Sequence, residues 1–310
     1  MPHYERRGFE QKRTQEADPI IKKAHERARK ILASVDIDPR KFENYDKTMI
    51  ARDMELVRTR EAQFNMQSTP ESREAKEIAT ILEAILHEQI GKNGWIGPNV
   101  STIRASRYDD YENGVDSIAQ FRREGEGDSH LGIALDATFS SHITEKLDDV
   151  KEDVANGKLT QIKYFASPNP ENPREYTYMG SLKVPRVVIG IEKKAVLDLI
   201  RTWMQDDTHA LFEHPIQHVI AKEIIDQLSF FERYARSRNR LEVAGVYKQV
   251  RTVVERSLKE KEQNAGQKNQ HQKTEAQTLG ALKNDRVLQS ITDYMRDVEE
   301  FEIKTLKEKK

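Results

Sequence analysis

The stretch ENGVDSIAQF, residues 112–121, opens like a turn and continues like a strand. Asn113-Gly114 is a pair that accepts positive φ at a tight turn, and Val115, Ala119 and Phe121 are side chains for a buried wall. Asp116 fits neither description. A run of similar character precedes it, so residues 100–107 and 115–122 are expected to form two strands joined by a polar loop. HLGIALDATF, residues 130–139, reads as a third strand. Within it Leu131, Ile133 and Leu135 share one face, while Gly132, Ala134, Asp136 and Thr138 share the other. That face of small side chains is expected to receive a closely packed helix. Antiparallel pairing of 115–122 with 131–138 would bring Asp116 and Asp136 together, and two carboxylates at short range repel unless a cation lies between them.

Helical patterns surround these strands. Asp18-Pro19 and an apolar recurrence through Leu32 predict a helix over 19–34, and a highly charged helix is expected over 45–66. From Pro70, the stripe Ile78, Ile81, Leu82, Ile85, Leu86 and Ile90 predicts a third helix ending at Gly91. Residues 142–156 read as helical, followed by strands in LTQIKYFAS and VPRVVIGI separated by a Pro/Asn-rich loop at 168–181. The continuous apolar run VVIGI suits a strand buried on both faces. Beyond 192 everything reads as helix except NAGQKNQHQKTEAQT, residues 264–278, whose polar composition predicts a flexible linker. The expected organisation is a helical extension (1–70), an α/β core with a mixed sheet (71–206), a helical region (207–263), the linker (264–278) and a final helix (279–310).

The 310 residues carry 51 basic and 52 acidic side chains and a net charge of −1, so no global field draws the chain to nucleic acid or to an anionic membrane. No cysteine is present, which excludes disulfides, thiol nucleophiles, iron–sulfur clusters and thiolate zinc sites. The N-terminal MPHYERRGFEQKRTQEADP has no apolar core of a signal segment, and no run approaches a membrane span, so a cytoplasmic protein is expected. The oxygen ligands of Asp116 and Asp136 suit a hard cation, Mg²⁺ or Mn²⁺, and Glu83 on the preceding helix is a possible third ligand.

Glu83 on a first helix, Asp116 on the second strand of a hairpin, and Asp136-Ala137-Thr138 on a third strand, followed by a helix and a further strand, resemble the PD-(D/E)xK nuclease-like superfamily. The resemblance covers roughly residues 73–206. It implies a restriction-endonuclease-like fold and a metal-dependent phosphodiesterase. Asp116 and Asp136 would be metal ligands, Glu83 a supporting ligand or water-orienting base, and a lysine would polarise the attacking water. Val115 replaces the superfamily's proline, and Thr138 stands at the lysine position. In some members the lysine comes from the following helix, which nominates Lys146; Lys163 on the next strand is the other candidate. The implied activity is hydrolysis of DNA or RNA. The alternative is a catalytically silent member that binds nucleic acid or a protein partner, and the terminal helices are candidate contacts for a partner or a second copy.

Other constellations carry less. His214 and His218 have zinc-helix spacing, but Pro215 replaces the required glutamate and points to His214 as a helix cap. Asp109-Asp110 reads as loop decoration. Arg104, Arg107, Tyr108, Tyr111, Arg122 and Arg123 would make a phosphate-contacting rim if they shared a surface. Phe230, Phe231 and Tyr234 form a core stripe beside Arg233, Arg236, Arg238 and Arg240, the strongest local run of positive charge. No phosphate-binding glycine loop or serine-hydrolase motif is present.

Overall fold

The structure, a computed structural model, describes residues 19–67, 69–121, 131–138, 143–169, 172, 175–266, 280, 282 and 285–308. Its helices are α1 (Pro19–Ser34), α2 (Lys47–Gln67), α3 (Pro70–Asn93), α4 (Arg107–Asn113), α5 (Ile143–Ala155), α6 (Lys193–Met204), α7 (Thr208–Phe212), α8 (Ile216–Ser237), α9 (Leu241–Gly266) and α10 (Arg286–Glu308). Strands β1 (Val100–Arg104), β2 (Ser117–Phe121), β3 (Leu131–Thr138) and β6 (Arg186–Gly190) form one mixed sheet in the order β1-β2-β3-β6, and β4 (Thr160–Pro168) pairs with β5 (Tyr176–Val184) in a second, two-stranded sheet. The chain is therefore a mixed α/β protein with helices on both flanks of the sequence.

Helix α3 buries all six residues of the expected stripe. Thr69 caps its start by accepting from Ser72 N–H, and Gly94, at φ 60°, closes its end. Gly91 does not end the helix. A Cβ there would lie 2.9 Å from Thr102 Oγ1, so this glycine lets α3 approach β1 closely.

The stretch from 107 to 113 departs from the expected hairpin loop, because it is helix α4. Ser106 caps it by accepting from Asp109 N–H, and Gly114, at φ 61°, ends it. Asn-Gly signals a positive-φ turn, and a helix end uses that conformation as readily as a hairpin does. Strands β1 and β2 still pair antiparallel, from Val100 opposite Phe121 to Arg104 opposite Ser117. Strand β2 pairs antiparallel with β3, and β3 runs parallel to β6. The segment expected as a loop at 168–181 contributes β5 from Tyr176 onward; Tyr176, Tyr178, Leu182 and Val184 alternate toward the small core with exposed residues between them. Val184 ends that strand and Pro185 separates it from β6, so VPRVVIGI divides between two strands. Asn264 to Gly266, expected in the linker, belong to α9; residues 267–278 of that linker, like Arg122 and Arg123, lie outside the described residues.

The sheet separates two cores. Ile133 and Leu135 face the larger one, which draws on α1, α3, α5, α6, α8, α9 and α10. Ala134 and Ile118 face the smaller one with Ile162, Phe165 and Val184. The small-residue face of β3 is thus covered by the β4–β5 sheet and not by a helix. A Cβ at Gly132 would meet Ile118 at 3.0 Å and Val184 at 3.5 Å, so the glycine admits the second sheet.

Strand β6 ends the sheet, and its outward polar groups are met by side chains. Gln227 of α8 accepts from Val188 N–H at 2.8 Å and donates to Val188 C=O at 2.7 Å, as a neighbouring strand would. Glu223, one turn earlier, accepts from Gly190 N–H at 3.1 Å. The Tyr247 hydroxyl of α9 bonds the Arg186 backbone. Alternate strand residues rise about 6.6 Å and one helical turn about 5.4 Å, which lets two successive turns of α8 address one strand edge.

Candidate functional site

Asp116 sits where β2 leaves β3. Its N–H donates to Leu135 C=O at 2.9 Å and its C=O accepts from Ala105 N–H at 3.1 Å, so its backbone is still held between neighbouring segments. One residue earlier the chain turns into α4, with Val115 N–H on Asp109 C=O. The next ladder position on β3 loses its backbone partner, and the Asp116 carboxylate supplies one by accepting from Ala137 N–H at 2.6 Å. The side chain thus extends the ladder in place of backbone.

Asp136 is buried on β3, and its carboxylate pairs with the Lys146 ammonium from the first turn of α5. Arg186, also buried, fixes the surroundings by donating to Asn113 C=O at 2.9 Å and Lys146 C=O at 3.4 Å. A Cβ on Gly114 would lie 2.8 Å from Arg186 Nη1 and 3.7 Å from Asp136 Oδ2. The end of α4 therefore fits against Asp136 only because residue 114 is glycine.

Two further carboxylates border this pair. Glu83 of α3 accepts from Arg104 Nε at 3.1 Å, and Arg104 also holds Asp36 and Leu32 C=O. Asp110 of α4 pairs with Arg107 at 2.9 Å, and Arg107 reaches Glu61 of α2 at 2.7 Å. Burial raises Asp116 well above the carboxylate range, and the charges of Asp136, Asp110 and Glu83 add to that. Burial likewise raises Asp136 against the opposing pull of Lys146, and raises Asp110 against Arg107. Glu83 is lifted to about 7, by burial first, with Arg104 opposing. Glu83, Asp116, Asp136 and Lys146 are brought into one neighbourhood. Among the described residues, no group of three or more histidine, cysteine, aspartate or glutamate side chains is arranged to hold a metal ion. Neighbouring cations pair with three of the four carboxylates, Glu83, Asp110 and Asp136.

Asp110 is the member that sequence reasoning missed. The available signal was Ser106-x-x-Asp109, a capping pattern that makes 107–113 helical and aims consecutive acids in different directions. Asp109 points away from the site and is fully buried. It accepts from Ser106 Oγ, Asn113 Nδ2, Lys163 N–H and Tyr164 N–H, and so ties α4 to β4.

Lys163 does not join the carboxylates. Its ammonium pairs with Asp53 of α2 and lies 4.7 Å from the Tyr108 ring and 5.5 Å from that of Tyr164. Tyr164 donates to the same Asp53 oxygen at 2.6 Å. This cluster takes up Tyr108, while Arg104 and Arg107 are bound to carboxylates and Tyr111 stacks on Phe64, so these four make no free phosphate-contacting rim. The run of arginines at the end of α8 and just beyond it is also occupied: Arg233 and Arg238 pair with Glu299 and Glu302 of α10, Arg236 with Glu232, and Arg240 donates to Ala155 C=O. His214 accepts from Ile216 N–H at the start of α8, and burial lowers both His214 and His218.

A cavity of about 810 Å³ adjoins the site through Asn113, Asp149 and Arg186. Its lining contains five carboxylates (Glu112, Asp149, Glu152, Asp153, Glu242) against three cations (Lys158, Lys183, Arg186). No helix among the described residues is long and apolar enough to cross a membrane. Comparison with protein-family models, with curated proteins and with solved structures gave no match.

Proposed function

We propose that the chain is a Mg²⁺- or Mn²⁺-dependent phosphodiesterase acting on nucleic acid, with a PD-(D/E)xK-like, restriction-endonuclease-like core. The observation that carries this reading is the meeting of Asp116, at the point where β2 leaves β3, with Asp136 and the Lys146 ammonium from the next helix. The donor set fits such an ion, since Mg²⁺ is commonly held by one or two carboxylates and otherwise by water and phosphate. Asp116 and Asp136 would hold it, and when bound it would supply Lewis acidity and an activated water. Lys146 supplies the positive charge that Thr138 lacks. Once free of Asp136, its ammonium would donate to a phosphate oxygen and stabilise charge developing there. Glu83, with a proton affinity near neutrality, is suited to hold or release a proton. The test is cleavage of labelled DNA and RNA with and without Mg²⁺ or Mn²⁺. Asp116→Ala and Asp136→Ala should each lower the rate by about a hundredfold or more, as loss of a strong charge-stabilising contact does. Equal rates in wild type and both variants overturn the site.

A second reading has its own support. The cavity beside the site is rich in carboxylates and Arg233 and Arg238 are neutralised, so long polyanions meet little free positive charge. Within the alternative of a nuclease-like fold without catalysis that binds nucleic acid or a protein, that favours the protein-binding form. Specific capture of a protein partner without cleavage would establish it; nucleic-acid binding that is steeply salt-dependent but needs no divalent ion, without cleavage, would instead support the nucleic-acid-binding form.

A further inference from the structure

The ion pairs among the described residues divide the four carboxylates unevenly. Glu83 has Arg104, Asp110 has Arg107 and Asp136 has Lys146, but no such pair reaches Asp116. Arg104 is anchored three ways and its side chain is 11% exposed, whereas Lys146 makes a single ion pair and is 31% exposed. Lys146 also sits in the first turn of α5, where the helix dipole disfavours a cation. Asp136 by contrast is fixed in β3, with Arg186 close by to retain part of the charge balance.

We propose that Lys146 is a tethered competitor for the divalent cation. It holds Asp136 in the metal-free protein and would have to swing toward solvent before Asp116 and Asp136 could hold an ion. The Lys146 ammonium so released would stand beside the site, which would couple loading of the ion to availability of the lysine. This inference rests on the metal-dependent reading and adds a residue that sets the affinity.

The test is calorimetric titration of the full chain with Mn²⁺ and with Mg²⁺ alone, without substrate, after circular dichroism has shown each variant folded. Lys146→Met should bind about tenfold more tightly than wild type, the factor expected if the lysine-bound form holds roughly nine-tenths of the molecules. Lys151→Met removes the same charge from the same helix, where Lys151 pairs with exposed Asp148, and should leave affinity within about twofold of wild type. The metal-induced rise in melting temperature should be larger in Lys146→Met than in wild type, which gives a readout independent of activity. Unchanged or weaker binding by Lys146→Met, or equal tightening by Lys151→Met, overturns the competitor role while leaving the metal reading in place. If wild type and Lys146→Met both fail to bind either ion, the metal reading fails and this inference falls with it.

Discussion

Asp109 and Asp110 are neighbours in the chain and belong to two different regions. Asp109 belongs to the cluster of Asp53, Lys163, Tyr108 and Tyr164 that joins α2 and α4 to the β4–β5 sheet, and there its acceptor capacity is met by donors from four groups. Asp110 faces Asp116 and Asp136, where acids accumulate and their partners are long, part-exposed cations. A buried carboxylate with a full set of fixed donors is a structural joint. Carboxylates that lean on movable side chains, and that raise one another's proton affinity, form a place where another cation can compete.

The largest effect should come from breaking the joint. Asp109→Ala strands two backbone N–H groups of β4 and should destabilise the protein by about 3 kcal/mol or more in urea unfolding. A loss under about 1 kcal/mol would mean that the joint is no more structural than the site. Gly114→Ala should cost about 2 kcal/mol, combining left-handed strain with the close approach to Arg186 and Asp136, and circular dichroism should still report the native helical content.

Proton linkage reports on buried carboxylates in both regions, Asp109 included. Glu83, Asp110, Asp116, Asp136 and Glu223 all have raised proton affinity in the fold. These groups therefore hold more protons in the folded state than in the unfolded chain above the ordinary carboxylate range. Stability from these groups is full below about pH 4 and is lost as pH rises through the raised values, about 7 for Glu83. In EDTA, Glu83→Gln should lose less stability than wild type as pH rises from 5 to 8, by about 1 kcal/mol or more. Comparison with wild type cancels His25, His87, His214 and His218, whose lowered proton affinity opposes the carboxylate slope. Equal losses in the two proteins would contradict the crowding of carboxylates. Glu223→Gln should remove part of that slope and raise stability at pH 8 by about 1 kcal/mol, because the fully buried Glu223 keeps one oxygen without a partner. The smallest effect should be Asp110→Asn, which relieves repulsion at the cost of one ion pair and should change stability by no more than about 0.5 kcal/mol.

Much of the fold could be read from period and punctuation. The stripe of α3 and the alternation of β3 were legible because each element buries one face against a core, and Asp116 and Asp136 stood out as charges that packing does not explain. Strand β5 was hidden by the Pro- and Asn-rich stretch before it, although its alternating Tyr176, Tyr178, Leu182 and Val184 carry a strand's period. Helix α4 was hidden because Asn113-Gly114 reads equally as hairpin turn and helix end. The partner of Lys163 could not be read at all, since Asp53 lies 110 residues away in a helix whose own pattern is mostly charge. What positions a site across elements is long-range packing, which local sequence does not encode.

The side chains along β6 have a consequence for assembly. A terminal strand with free backbone groups is a template on which another chain can add itself, whether a partner's extended peptide or a second copy of the same protein. Here Gln227 and Glu223 occupy that template from within, so growth of the sheet beyond β6 would first require α8 to be peeled away.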